Sequence, residues 1–404
     1  MRPFTDTLPF ADALRLVMAA VVPITRTETV RLTEARDRVA ARDVTAGMDV
    51  PSFDRAAMDG YAVIASDTTG ASAAAPRTLR VTGVLFTGHA SQPEGSLVSG
   101  GECVEIATGA PMPAGANAVV MVEQTSRHGD DVQFTAEAAV GQNIGRRGAD
   151  MIAGDVIIRA GTTLSPARLG AVAAVGIEQV EVVARPSVAI VSTGQEVVAA
   201  GHRLEPGQIY DVNRVTLSGV VAQHGGIAVP LPARGDALDE LVLALDAAAR
   251  HDIAVFSGGS SVGNKDLMRD ALRVRGEVIF HGISVKPGKP TLFGRWNGTP
   301  VFGMPGYPAS CLSNAYMLLL PMLRATARLP GWEPRTIDLP LARAVVSPHG
   351  RHQFYTVRIH EGRAEPAFKA SGDITSMANA DGYIEIPAAT GSIGAGTVVR
   401  VICF

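Results

Sequence analysis

The chain has 404 residues, 47% hydrophobic and 19% charged, which is ample for several cores and argues against disorder. Its formal net charge is −3 and aromatics make up 5%, which excludes a basic nucleic-acid surface and a stacking platform for single strands. Cys103, Cys311 and Cys403 lie far apart with no C-x-x-C pair, so neither a disulfide framework nor a zinc site is expected, and a reducing cytoplasm fits.

The amino-terminal stretch MRPFTDTLPF lacks the apolar core of a signal peptide. The run AYMLLLPML is too short to span a bilayer and contains Pro321, so no membrane segment is expected. Leu8, Ala11, Leu14, Val17, Met18 and Val21 recur at helical spacing and predict an amphipathic helix over 8–22. A second short helix is expected over Glu34–Val39. From about residue 50 to 142 the texture changes to short β-rich runs (YAVIA, LRVTGVL, CVEIA, AVVMVE, VQFTA) punctuated by Gly and Pro. Residues 143–183 return to turns and helix, with Ser165 placed to cap the helix ARLGAVAAVG and Pro166 at its first position. The economical organisation is a discontinuous first domain of helical and mixed character, 1–49 with 143–183, interrupted by an inserted β-rich domain, 50–142.

Residues 184–327 alternate strand and helix: SVAIVSTG, VNRVTLSGVVAQHG, IAVPLPA, ALDELVLALDAAARH, DIAVFSGG, LMRDALRV and finally PASCLSNAYMLLLPML. That βαβ rhythm predicts a doubly wound, mostly parallel, Rossmann-like sheet. Residues 328–404 show no convincing helix, and TIDLPLARAV, FYTVRI, GYIEIP and GTVVRVICF predict a C-terminal β barrel or sandwich. The fold class is therefore multidomain, α/β plus β.

Several apolar runs of the sheet region stop abruptly in glycines, small hydroxyls and charge, as buried strands do when they empty into functional loops. After DIAVFS come Gly258, Gly259, Ser260, Ser261 and Gly263, whose backbone can converge on an anion. The loop is not a P-loop: Asn264 stands where the lysine belongs and Asp266 where Ser or Thr belongs. Asp266 reads either as a helix cap or as a ligand for Mg2+ or a donor-rich heterocycle. Lys286-Pro287-Gly288-Lys289 holds two ammonium groups near one another, for which a phosphate is the natural partner. Pro305, Gly306 and Ser310 lead into a helix whose free N–H groups suit an anion, or Ser310 simply caps it. Ser192, Thr193 and Gly194 precede Glu196, which suits an amino-pyrimidinone edge or is a helix-start acid; Asp236 is similarly placed after the next strand. These loops predict one pocket for a phosphate-bearing organic ligand. Asp59, Thr108 and Asp150 sit on turns outside the sheet region, and singly each reads more readily as an ordinary surface turn.

With these pieces in place, the chain resembles the molybdopterin molybdotransferases, the molybdenum-insertion enzymes related to the gephyrin E domain. The shared motifs run nearly the full length in order: MDGYAV, ATGAPMPAGANAVVMVE, NIGRRGADMIAGDVI, AIVSTGQE, GQIYDVN, SGGSSVGNKD, VKPGKP and VFGMPGYPAS. The resemblance implies an elongated homodimer of four-domain subunits. It implies that adenylylated molybdopterin and molybdate react in the presence of Mg2+ to give molybdenum cofactor and AMP. The implied cleft lies between the sheet domain of one subunit and the β-rich insertion of the other. Functional positions carried over by motif are Asp59, Thr108, Asp150, Glu196, Asp236, Asp266, Lys286 and Lys289, with Arg351 and Ser376 from the C-terminal region. Within them Asp266 and Asp236 suit the metal and Glu196 the pterin edge. Molybdate, an anion, is assigned to lysine, arginine, hydroxyl and backbone N–H groups. An upstream adenylyltransferase and downstream molybdoenzyme chaperones are the implied protein partners.

Tyr307 stands where the family often has Asn, Val212 where a small hydroxyl is usual, and Asn264 where an acid is common. These departures leave room for a tungstate-preferring paralogue. A molybdopterin adenylyltransferase would need only the sheet domain, ~150 residues, and leaves the flanking β-rich regions without purpose. A gephyrin-like scaffold with a decayed site would have lost the acids and lysines that this chain retains.

Overall fold

The run IAVFS carries no polar alternation because its strand, Ile253–Ser257, is buried along its whole length in the middle of a sheet. The computed structural model describes residues 7–88, 97–232, 237–258 and 267–404. These fall into two compact units: one holds the residues up to Glu28, Asp37–Val39 and Val183–Phe404, the other Thr29–Arg36 and Ala40–Val182.

In the first unit six strands lie in the order Ile227–Pro230, Ser187–Ser192, Ile253–Ser257, Thr299–Met304, Leu292–Trp296, Glu277–His281. The first four are parallel, Leu292–Trp296 runs against them, and Glu277–His281, antiparallel to Leu292–Trp296, runs in the direction of the first four. Side chains alternate between two cores. Val188, Ile190, Val255 and Phe302 pack against helices Phe10–Ala19 and Val212–Gln223 and the helical run 308–326. Ala189, Val191, Phe256 and Val301 pack against helices Leu238–Ala248 and Leu267–Arg275. Helices thus cover both faces, and the parallel strands deliver their carboxyl ends to one edge. The 308–326 run widens to a π segment at Ala315–Leu319, just where Pro321 removes an N–H donor from the ladder.

The C-terminal strands of this unit neighbour in the order Val285–Lys286, His352–His360, Gly382–Ile386, Val398–Cys403, Thr336–Pro340, with Arg363–Pro366 folded back on His352–His360. The sheet curls until Leu341 bridges Ala364, and the Ala342 N–H donates to the Ala364 carbonyl at 2.9 Å. Val357, Ile384, Ile386, Val399 and Val401 form the core of the curl. Phe354 and Tyr383, stacked 3.8 Å apart, belong instead to the core of the central sheet. One short helix, Thr375–Ala378, interrupts a region expected to have none.

In the second unit a six-stranded sheet runs Ala118–Met121, Gly60–Val63, Glu102–Ile106, Arg77–Leu85, Asp131–Phe134, Thr125–His128. It too is apolar on both faces, with Tyr61, Val63 and Cys103 on one side and Ala62, Val104 and Ile106 on the other. Gly60 is required, because a Cβ there would stand 1.9 Å from the Val120 carbonyl oxygen. Helix Pro166–Ala174 is capped by Ser165, whose hydroxyl accepts from the Arg168 N–H at 3.4 Å.

The helix expected over Glu34–Val39 does not form. A 3-10 turn covers Leu32–Glu34, and Asp37 then adopts φ 60°, a left-handed conformation that no α-helix tolerates. Among the described residues no helix is long and apolar enough to cross a membrane.

Candidate functional site

Three strand ends meet at the carboxyl edge of the central sheet. The Thr193 N–H donates to the Ser257 carbonyl at 2.9 Å, and the Gly258 N–H to the Met304 carbonyl at 3.1 Å. Ser192–Gly194, Ser257–Gly258 and Met304–Gly306 are thereby held side by side. Gly258 has φ +94° and packs on Thr193, whose carbonyl oxygen would lie 2.7 Å from a Cβ at that position. Gly194 has φ +121° with the Glu196 carboxylate folded over it, 2.7 Å from where a Cβ would be. Only glycine accepts both conformations without strain.

A residue that motif reading passed over binds these ends together. Asn213, in the first turn of helix Val212–Gln223, donates its amide to the Ser257 hydroxyl at 2.7 Å and to the Gly306 carbonyl at 2.8 Å. The helix start is fixed by Asp211, which accepts from the Arg214 N–H at 3.0 Å. Cys311, in helix Pro308–Asn314, reaches the Ser257 hydroxyl; burial pushes its thiol up to about 12, which keeps it protonated near neutral pH. The signal for Asn213 was present in the D-x-N turn, but a polar residue inside a helix carries no mark of burial.

Two polar atoms at this edge lack partners among the described residues: Ser192 Oγ, on a residue 1% exposed, and Asn213 Oδ1, on a residue 6% exposed. Buried polar groups are normally bonded, so their orphaning is a cost to the fold that a polar ligand would relieve.

The Lys286–Lys289 turn is anchored to the same helical run. Asn314 Nδ2 donates to the Gly288 carbonyl at 3.0 Å, and the Thr291 hydroxyl donates to that carbonyl at 2.8 Å. Asn314 follows Ser310 by four residues and so lies one turn along the same face. Ser310 is not the cap; Tyr307 occupies that position and makes no capping bond, while Ser310 is buried inside the helix. Over this helix start lies the C-terminal segment: the Ala309 N–H donates to the Ser371 carbonyl at 3.2 Å. Five residues on, Ser376 is buried with its hydroxyl unpartnered among the described residues. Arg351 is exposed, immediately before the strand His352–His360.

Ser192, Thr193, Gly194, Gly258, Pro305, Gly306 and Ser310 therefore come together, with Glu196 over Gly194 and the Lys286–Lys289 turn on the adjoining helix face. Gly259, Ser260, Ser261, Gly263, Asp266 and Asp236 lie outside the described residues. Among the described residues no group of three or more His, Cys, Asp or Glu is arranged to hold a metal ion.

Asp59, Thr108 and Asp150 belong to the other unit. Asp59 Oδ1 accepts from the Thr108 N–H at 2.6 Å and from its hydroxyl at 2.9 Å. Those two bonds, the backbone one foremost, hold the exposed Asp59 carboxyl below the usual carboxylate range. The turn containing Asp150 is pinned by the Asp150 N–H, which donates to the Val50 carbonyl at 3.0 Å, and by neighbouring side chains: Asp54 accepts from Arg146 at 2.7 Å, and Asp49 from Arg147 at 2.6 Å.

Three family descriptions match the chain in succession: "MoeA N-terminal region (domain I and II)" over residues 8–176, "Probable molybdopterin binding domain" over 189–325, and "MoeA C-terminal region (domain IV)" over 338–404. The chain is 34% identical over 395 residues to Molybdopterin molybdenumtransferase 2 of Mycobacterium tuberculosis, covering 95% of this chain and 97% of the relative. It is 33% identical over 401 residues to Molybdopterin molybdenumtransferase of Haemophilus influenzae, covering 96% and 97%. A crystal structure of the molybdopterin biosynthesis MoeA protein from Pyrococcus horikoshii is similar at TM-score 0.83 and 36% identity, covering 98% of this chain and 99% of that one.

Proposed function

The chain belongs to the MoeA family of molybdopterin molybdenumtransferases, a transferase family of molybdenum cofactor biosynthesis, and from that premise we propose its reaction, ligands and assembly. The protein takes adenylylated molybdopterin and molybdate, and with Mg2+ present gives molybdenum cofactor and AMP. The junction of three strand ends carries this reading: glycine at Gly194 and Gly258 lets Glu196 and Thr193 close in on the strand ends, and Ser192 Oγ and Asn213 Oδ1 offer a ligand unused hydrogen-bonding capacity.

In this reading the strand-end loops seat the pterin and its phosphates, and Glu196 takes the amino-pyrimidinone edge. Lys286 and Lys289 hold anionic oxygen without needing deprotonation, and Ser376 and Arg351 add a hydroxyl and a guanidinium from the C-terminal region. Asp236 and Asp266 are the proposed holders of Mg2+, which would offset phosphate charge. Asp59, Thr108 and Asp150 complete the cleft from a second copy of the chain in a homodimer. The domain boundaries that accompany the proposal are 1–49 with 143–183, 50–142, 184–327 and 328–404. The three free thiols suit a reducing cytoplasm.

The decisive experiment incubates purified protein with adenylylated molybdopterin and Mg2+ and measures AMP release with molybdate, with tungstate and with neither. Oxyanion-dependent AMP release is expected. AMP release indifferent to either oxyanion would overturn the reading, and release with tungstate alone would replace molybdate as the substrate.

A further inference from the structure

Lys286 and Gln353 are register partners on neighbouring parallel strands, so their side chains leave the sheet on the same face. Ile386 stands opposite Gln353 on the strand beyond. Gln353 is 0% exposed, yet neither its Oε1 nor its Nε2 has a hydrogen-bond partner among the described residues. A buried carboxamide with both ends unmet opposes folding, and an apolar side chain of similar size would serve the core better. The neighbouring Lys286 is half-buried. Lys286 Nζ lies 5.7 Å from the centre of the Phe368 ring, and among the described residues no carboxylate pairs with it.

The two groups are complementary. Lysine has three N–H donors and no acceptor, and the carboxamide oxygen is an acceptor without formal charge. We infer that Gln353 is a positioning residue for Lys286: when a tetrahedral oxyanion binds, the carbonyl oxygen, unpartnered in the free protein, takes one ammonium N–H and the others point at the anion. A carboxylate at this place would orient the ammonium more strongly but would cancel the charge the anion needs. A carboxamide fixes direction and leaves the positive charge intact. The inference rests on the reading of Lys286 as an anion-holding residue.

The test titrates molybdate alone into the wild-type protein, Gln353→Met, Gln353→Glu, Lys286→Met and the Lys286→Met/Gln353→Met double variant by calorimetry, with melting temperatures taken alongside. Gln353→Met is expected to melt no lower than wild type, because it removes two orphaned polar atoms, yet to bind molybdate about tenfold more weakly. Gln353→Glu is expected to bind more weakly still, because the new carboxylate neutralises Lys286. In the Lys286→Met background the Gln353 change should have no further effect on affinity. Wild-type affinity in Gln353→Met, a loss that persists without Lys286, or a loss that tracks a fall in melting temperature would each overturn the inference while leaving Lys286 in place. If the wild-type protein takes no molybdate, or Lys286→Met takes it as well as wild type does, the reading of Lys286 itself fails.

Discussion

The Asn314 carboxamide fills the space that a side chain on Gly288 would need: a Cβ at Gly288 would stand 2.3 Å from Asn314 Nδ2 and 2.5 Å from Oδ1. Gly288 also has φ +105°, so alanine there meets both a steric and a conformational penalty. Gly288→Ala is expected to cost about 2 kcal/mol of stability and to cut molybdate-dependent AMP release at least tenfold, read by urea unfolding and nucleotide assay. Gly298→Ala is the control. Its φ is +85° but nothing lies within 4 Å, so it should lose stability and keep its activity.

Asn213 is the second point of control, because one amide group serves two strand ends. Asn213→Ala leaves the Ser257 hydroxyl and the Gly306 carbonyl without their donor. We expect a loss of about 1–3 kcal/mol in urea unfolding. We also expect the KM for adenylylated molybdopterin to rise more than the KM for molybdate, since the lysine turn is anchored separately through Asn314. Equal effects on both substrates would show that the two anchors are not independent.

How far these features could be read from sequence depended on the kind of burial. Strands such as Ile253–Ser257 and Ser187–Ser192 are covered on both faces, so their apolar runs and glycine endings stood out. Asn213, Asn314 and Gln353 did not, because a buried polar side chain in a helix or strand has the same one-letter appearance as a solvated one. The entry of Val285–Lys286 into the C-terminal sheet was equally hidden: two residues carry no periodicity, and their partners lie more than sixty positions away. Glu34–Val39 misled because helical spacing does not reveal a left-handed residue such as Asp37. Ser310 left two readings open because a serine near a helix start suits the cap and the first turn alike, and only the cap is removed.

His224 gives the fold a defined acid sensitivity. Its ring is 5% exposed, meets Trp332 edge-on at 5.7 Å, and has no partner for Nε2 among the described residues. Burial first, and the Arg324 charge second, push its imidazole from the usual 6.5 down to about 4. Above pH 6.5 the ring is neutral in both folded and unfolded chains and contributes no pH dependence. Below that value the unfolded chain takes up a proton that the folded chain refuses, so stability is lost as pH falls from 6.5 toward 4. The expected loss between about pH 7.5 and about pH 5 is on the order of 2 kcal/mol. Urea midpoints at the two pH values should converge less in the wild-type protein than in His224→Phe, which lacks the titrating group. An identical pH response in both would remove His224 from the account.

The remaining prediction concerns whether Asp59 and Lys286, which belong to different compact units, serve one reaction. If the cleft is built from two copies of the chain, each active site needs Asp59 from one copy and Lys286 from the other. Asp59→Ala removes the acceptor of the two Thr108 bonds at an exposed turn, so its melting temperature should stay at the wild-type value while AMP release collapses. Lys286→Met should be inactive as well. When the two inactive proteins are mixed and allowed to exchange subunits, half of the dimers become mixed, and in each of those one cleft is intact and the other doubly defective. Recovery of about a quarter of wild-type activity is then expected. A cleft formed within a single copy gives a different outcome, because every cleft then carries one defect or the other. Mixing would restore nothing, and the shared-cleft proposal would have to be abandoned even if the reaction itself were confirmed.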